Sequence, residues 1–137
     1  MKTLAADRAQ IMAAIARFAP AVARKIRAVR AVLRERFPTA FELAYDNYNF
    51  FVIGYCSTER PSDCIVPIAA DANGVGLSFY RGADISDPRR LLAGSGKQNR
   101  FLRLPDGAET LELPGVAELL SVAEAPRRLP CGTVVRW

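Results

Sequence analysis

The chain contains no histidine. That absence removes the commonest general base and the commonest transition-metal ligand together. Cysteine is scarce as well, limited to Cys56, Cys64 and Cys131. An odd count at such long spacings supports neither a disulfide framework nor a zinc knuckle. Cys64 lies in an apolar stretch and reads as a small buried hydrophobe. Cys56 faces it across an expected hairpin, where oxidation in a reducing cytosol would be incidental. No apolar run reaches the roughly 18 residues a membrane span needs. Asp7 and Arg8 stand where a secretory leader would be purely apolar. The expected location is cytoplasmic, with no cofactor and no metal.

Acidic residues are nearly missing from one part of the chain. Residues 1–36 hold nine Lys or Arg against Asp7 and Glu35 alone, whereas residues 37–96 hold four against seven acids. Residues 97–137 are close to balanced, six against five. The net charge of +5 therefore originates in the N-terminal segment. At 137 residues, half hydrophobic and 24% charged, the chain suits one folded domain rather than a disordered one.

The apolar residues that are present recur with readable periods. Ile11, Met12, Ile15 and Phe18 fall at helical spacing within residues 4–19, and Pro20 interrupts. Val22, Ile26, Val29 and Leu33 then form a second apolar stripe that Pro38 closes. A helix pair over 4–37 is expected. FELAYD (41–46) and NFFVIGYC (49–56) read as strands joined by a turn, followed by CIVPIAA (64–70) and VGLSFYRG (75–82). The connections are too short for crossovers, so these strands form an antiparallel meander. Pro67 lacks a ladder donor and marks an edge or a bulge, and DANG (71–74) is a tight turn.

GSGK (94–97) invites comparison with a phosphate loop. Its flanks are reversed, however: Asp87-Pro88 opens a short helix over 88–93, and a strand follows at 98–104. A phosphate loop requires a strand before the glycines and a helix after the lysine, so GSGK reads as a helix stop and a turn. Residues 104–113 are expected as a turn and a short extended piece. A C-terminal helix over 116–125 and an edge strand near 133–135 complete the chain, the last region spanning 114–137 with Trp137. The expected fold is α+β: two helices on an antiparallel sheet of about five strands, with a short inserted helix and a C-terminal helix.

GVGLSFYRGADISDPRRLLAGSGKQNRFLRL (74–104) closely resembles the central signature of the YdhG-like family (domain of unknown function 1801). ELAYDNYNFFVIGY (42–55) is similar to that family's tyrosine-containing strand pair. The resemblance spans roughly residues 10–125 and implies a fold distantly like frataxin, two helices packed on an antiparallel sheet. It also implies an iron-chaperone label for some relatives. Iron needs several oxygen ligands, and helices with Asp7 and Glu35 among nine cations supply few.

Three groups of residues are candidate sites. Tyr45, Asp46, Asn47, Tyr48 and Asn49 combine two phenols, a carboxylate and amides suited to a small polar ligand, although the same residues make good hairpin turn chemistry. Asp84, Asp87, Lys97, Arg100 and Arg103 would converge if the inserted helix folds back on its strands, with Asp87 otherwise explained as a cap. Arg27, Arg30 and Arg34, with Arg24 nearby, form a basic stripe able to meet an acidic protein or nucleic acid. The expected function is a non-catalytic binding or accessory module for a small polar ligand or a partner protein. The alternatives are a basic interaction protein using the second helix and a small hydrolase or transferase using Asp46 or Asp84 with Lys97.

Overall fold

The computed structural model describes residues 2–5, 8–47, 50–60, 64–79, 82–84, 87, 90–94, 98–113 and 115–124, with backbone alone at 2–5, 46–47 and 84. Helix α1 (Arg8–Ile15) buries Ile11 and Ile15. It ends in i→i−3 bonds, Arg17 N–H to Ala14 O and Phe18 N–H to Ile15 O, the tightened geometry that exhausts a helix terminus. Helix α2 (Pro20–Arg36) begins on Pro20 in its first turn, where a missing N–H costs nothing. It buries Ala23, Ile26, Val29, Arg30 and Leu33. Phe37 N–H closes it onto Leu33 O at 2.8 Å. Arg34 and Arg36 lie in the last turn, the end at which cations oppose the helix dipole.

The expected start of the first helix is corrected. Lys2–Ala5 is a strand, β1, paired antiparallel with β2 (Phe41–Asn47) through Lys2 with Asp46 and Thr3 with Tyr45. Sheet pairing overrides alanine's helical preference here. β3 (Phe50–Cys56), β4 (Cys64–Asp71), β5 (Gly74–Phe79) and β6 (Arg100–Arg103) complete a six-stranded sheet in the order β1-β2-β3-β4-β5-β6. Every neighbouring pair is antiparallel. The meander stands, one strand wider than expected.

Several turns depart from the sequence reading. Asp46 and Asn47 belong to β2, paired with Phe51 and Phe50, so the hairpin connection is residues 48–49, which lie outside the described residues. Pro67 sits in an interior strand, not an edge. The ladder from β4 to β5 begins at Ile68, while Pro67 pairs with Gly54 of β3, and a register shift does lie close by, opposite Tyr55 and Cys56. At the β4–β5 turn, Asn73 N–H donates to Asp71 Oδ1 at 2.8 Å, and Gly74 adopts φ 151, as that turn requires.

The inserted helical piece is not where the sequence placed it. Residues 90–93 are not helical: Arg90 has φ 54, and Ala93 exchanges two backbone bonds with Phe101, at 2.8 and 2.9 Å. A bridge to β6 has replaced the helix. Short 3-10 segments occur instead at Gly82–Asp84 and Gly107–Glu112, the second in place of the expected extended piece. Helix α3 (Val116–Glu124) follows. Arg36 ties it to α2 through Glu124 Oε2 at 2.9 Å and Ser121 Oγ at 3.0 Å. The region 125–137, with its expected strand and Trp137, lies outside the described residues.

Ala44, Phe51, Ile53, Tyr55, Ile68, Leu77 and Leu102 pack with Ile11, Ile15, Ile26, Val29, Leu33, Leu119 and Leu120 in the main core. Alternation sends Leu43, Tyr45, Val52 and Cys56 to the opposite face of the sheet, where a register shift adds Cys64, and these too are buried. No described helix is long and apolar enough to cross a membrane.

Candidate functional site

Arg30 follows Ile26 by four residues and precedes Leu33 by three, a spacing that places it inside the apolar stripe of α2. It is 5% exposed, which removes it from the basic surface the sequence assigned it to. Beneath it, Glu42 and Tyr55 are direct partners in the β2–β3 ladder and therefore stand side by side on the helix-facing side of the sheet. Both are 0% exposed.

These three side chains saturate one another. Arg30 Nε donates to Glu42 Oε2 and Arg30 Nη2 to Glu42 Oε1, both at 2.9 Å, a two-pronged pairing that fits a planar guanidinium to a carboxylate. Tyr55 Oη donates to Glu42 Oε2 at 2.7 Å. Arg30 Nη1 reaches Met12 Sδ on α1 at 3.1 Å. One charged centre thereby links α1, α2, β2 and β3.

Burial works to lower the Arg30 pKa, but the hydrogen bond and charge of Glu42 outweigh it and raise the value above the ordinary one. Burial, followed by the charge of Glu42, lifts the Tyr55 phenol well above its usual range. The Arg34 guanidinium is held below its ordinary value by burial and then by Arg30. Arg30 and Tyr55 thus keep their protons at neutral pH, and Glu42 has both oxygens engaged. Such a centre anchors a helix to a sheet, with all three side chains closed off from solvent.

The remaining candidate residues separate clearly. Arg24 and Arg27 are exposed and Arg34 is half-buried, all on one flank of α2, and Arg8 and Arg17 are exposed as well. Lys25 and Arg36 are tied down on the other flank, Lys25 Nζ donating to Pro105 O at 2.7 Å. Tyr45 is fully buried. Tyr48, Asn49 and Lys97 lie outside the described residues, as do the side chains of Asp46 and Asp84.

Near Arg100, the backbone of the Gly82–Asp84 segment meets the residues that lead into β6. Ala83 N–H donates to Gln98 O at 2.9 Å, and the Arg100 side chain packs on Gly82, leaving no room there for a β-carbon. Asp87 is occupied: its oxygens accept Leu91 N–H and Leu92 N–H, each at 2.9 Å. The capping role expected of it is real, but it caps a loop and not a helix. Gly94 has φ 112, and among the described residues that follow, 98–99 lead into β6 rather than a helix.

Sequence reasoning missed Glu42 and Tyr55. The signal was a glutamate two residues before Ala44, within the otherwise apolar run 41–45 of β2, together with the place of Arg30 between Ile26 and Leu33. Among the described residues, no three His, Cys, Asp or Glu side chains gather as a metal site. No family model matches the chain, and no curated protein or solved structure matches it either.

Proposed function

We propose that this chain is a non-catalytic binding module of the YdhG-like type that engages an acidic protein segment through the outer side of α1 and α2. The carrying observation is the segregation of charge on that layer. Between Arg8 and Arg36, Glu35 is the one acidic residue, and Arg8, Arg17, Arg24 and Arg27 are exposed. A surface of one sign raises the local concentration and arrival rate of partners of the other.

The non-catalytic part rests on Glu42 and Asp87, carboxylates already committed to structural donors. The YdhG-like part rests on the order of motifs in residues 74–104. A small polar ligand at residues 45–49 is the weaker reading, because Tyr45 is buried. An iron-carrier role draws no support from helices with so few carboxylates.

An acidic protein is preferred to nucleic acid on one further ground. The aromatic residues of the helix layer, Phe18 and Phe37, turn inward, Phe18 against Phe51 at 5.9 Å and Phe37 fully buried. Among the described residues of the helix layer, no stacking platform for bases accompanies the arginines. Titrating the chain at low salt with labelled polyglutamate, duplex DNA and single-stranded DNA tests this. Saturable polyglutamate binding that weakens as salt rises is expected. Binding confined to DNA would reassign the surface to nucleic acid, and binding to none of the three would end the proposal.

A further inference from the structure

The β3–β4 hairpin closes on two thiols. From Ile53 with Ile68 through Tyr55 with Val66 the ladder advances residue for residue, and the next pairing in that register would join Cys56 to Ile65. A register shift intervenes, and Cys56 pairs with Cys64 instead. Such irregularities re-aim side chains, and this one brings Cys64 to the same face of the sheet as Cys56. The two cysteines cluster with Leu43, apart from the main core.

Gly54, on the same face, supplies their space. A β-carbon there would stand 3.1 Å from Cys64 Sγ and 3.5 Å from Cys56 Sγ. Both sulfurs therefore converge over one glycine. Direct partners in an antiparallel ladder have Cα atoms about 4.5–5.5 Å apart, inside the roughly 4.4–6.8 Å span of disulfides. Both residues are thiols in this structure, buried at the end of one strand and the start of the next.

We propose that Cys56 and Cys64 are a redox modification site, forming a reversible cross-strand disulfide between the end of β3 and the start of β4. The oxidant class is a low-molecular-weight disulfide. The thiolate of one cysteine attacks a sulfur of that disulfide, displaces one small thiol and leaves a mixed disulfide. The second cysteine, after losing its proton, attacks the protein sulfur of that bond and displaces the other small thiol. Two protein thiols are oxidised, the small disulfide is reduced to two thiols, and the protein loses two hydrogens. Strand ends open locally at low cost, which gives the oxidant access to the pair.

The test uses the folded full chain and glutathione disulfide, followed by acid quenching, alkylation, digestion and mass spectrometry. The expected product is one Cys56–Cys64 linked peptide lighter by two hydrogens, reversed by a dithiol and unchanged in Cys131→Ser. Gly54→Ala should lower the linked fraction at a given time by severalfold, because its methyl group enters the space between the sulfurs. A stable glutathione adduct on Cys56 or Cys64 without the internal link would overturn the proposal. So would linkage only through Cys131, or both thiols staying alkylatable while a denatured sample oxidises.

Discussion

Glu42 accepts two bonds from Arg30 and one from Tyr55 in a site closed to water, so each partner's value depends on the others remaining. Deleting one member of a buried ion pair leaves an uncompensated charge, a loss of about 3–5 kcal/mol. Glu42→Ala should lower stability by that amount in chemical denaturation. The double replacement Arg30→Met with Glu42→Leu should recover most of it, since an apolar pair of similar volume removes both charges together. Tyr55 adds a pH dependence. Its folded pKa is raised, so the unfolded chain loses the proton first. The stabilisation is complete below about pH 10, the ordinary tyrosine value, and disappears as pH climbs through the raised value. Stability measured against pH should fall less steeply on the alkaline side in Tyr55→Phe than in the parent chain.

At the scale of elements, α2 divides its cations between its flanks. Arg30 is spent on the sheet and Lys25 and Arg36 on the C-terminal segments, leaving Arg24 and Arg27 outward. Arg24→Gln and Arg27→Gln should leave the melting temperature unchanged, while Arg36→Gln should lower it modestly by releasing α3. The strands and helices were legible wherever a local signal held: Ile26, Val29 and Leu33 gave the core face of α2, and runs of aromatic and β-branched residues gave β2 and β3. Legibility failed where a partner distant in sequence decides. Lys2–Ala5 becomes a strand only because β2 presents an edge. Residues 90–93 lose their helix to a bridge with Phe101 and to Asp87, whose oxygens draw Leu91 and Leu92 N–H into a loop. Asp87→Ala should cost about 1 kcal/mol through those lost bonds. Arg30, Glu42 and Tyr55 were each visible, but their meeting needs the β2–β3 register and the helix laid over it.

For the molecule as a whole, the same physics explains a dry sheet and a wet charged roof. Carboxylates and arginines that meet inside neutralise one another, and the surplus cations are left on the outer side of the helices, where they define the surface a partner would meet. The most direct measurement is the salt dependence of polyglutamate affinity for the parent chain, Arg24→Gln/Arg27→Gln and Arg30→Met/Glu42→Leu. The outward pair should weaken binding about tenfold or more at low salt and flatten the salt slope, because each lost contact releases fewer counterions. The inward replacement should leave affinity and slope as they are in the parent. A salt-independent affinity, or a loss from the inward replacement equal to that from the outward pair, would contradict the account.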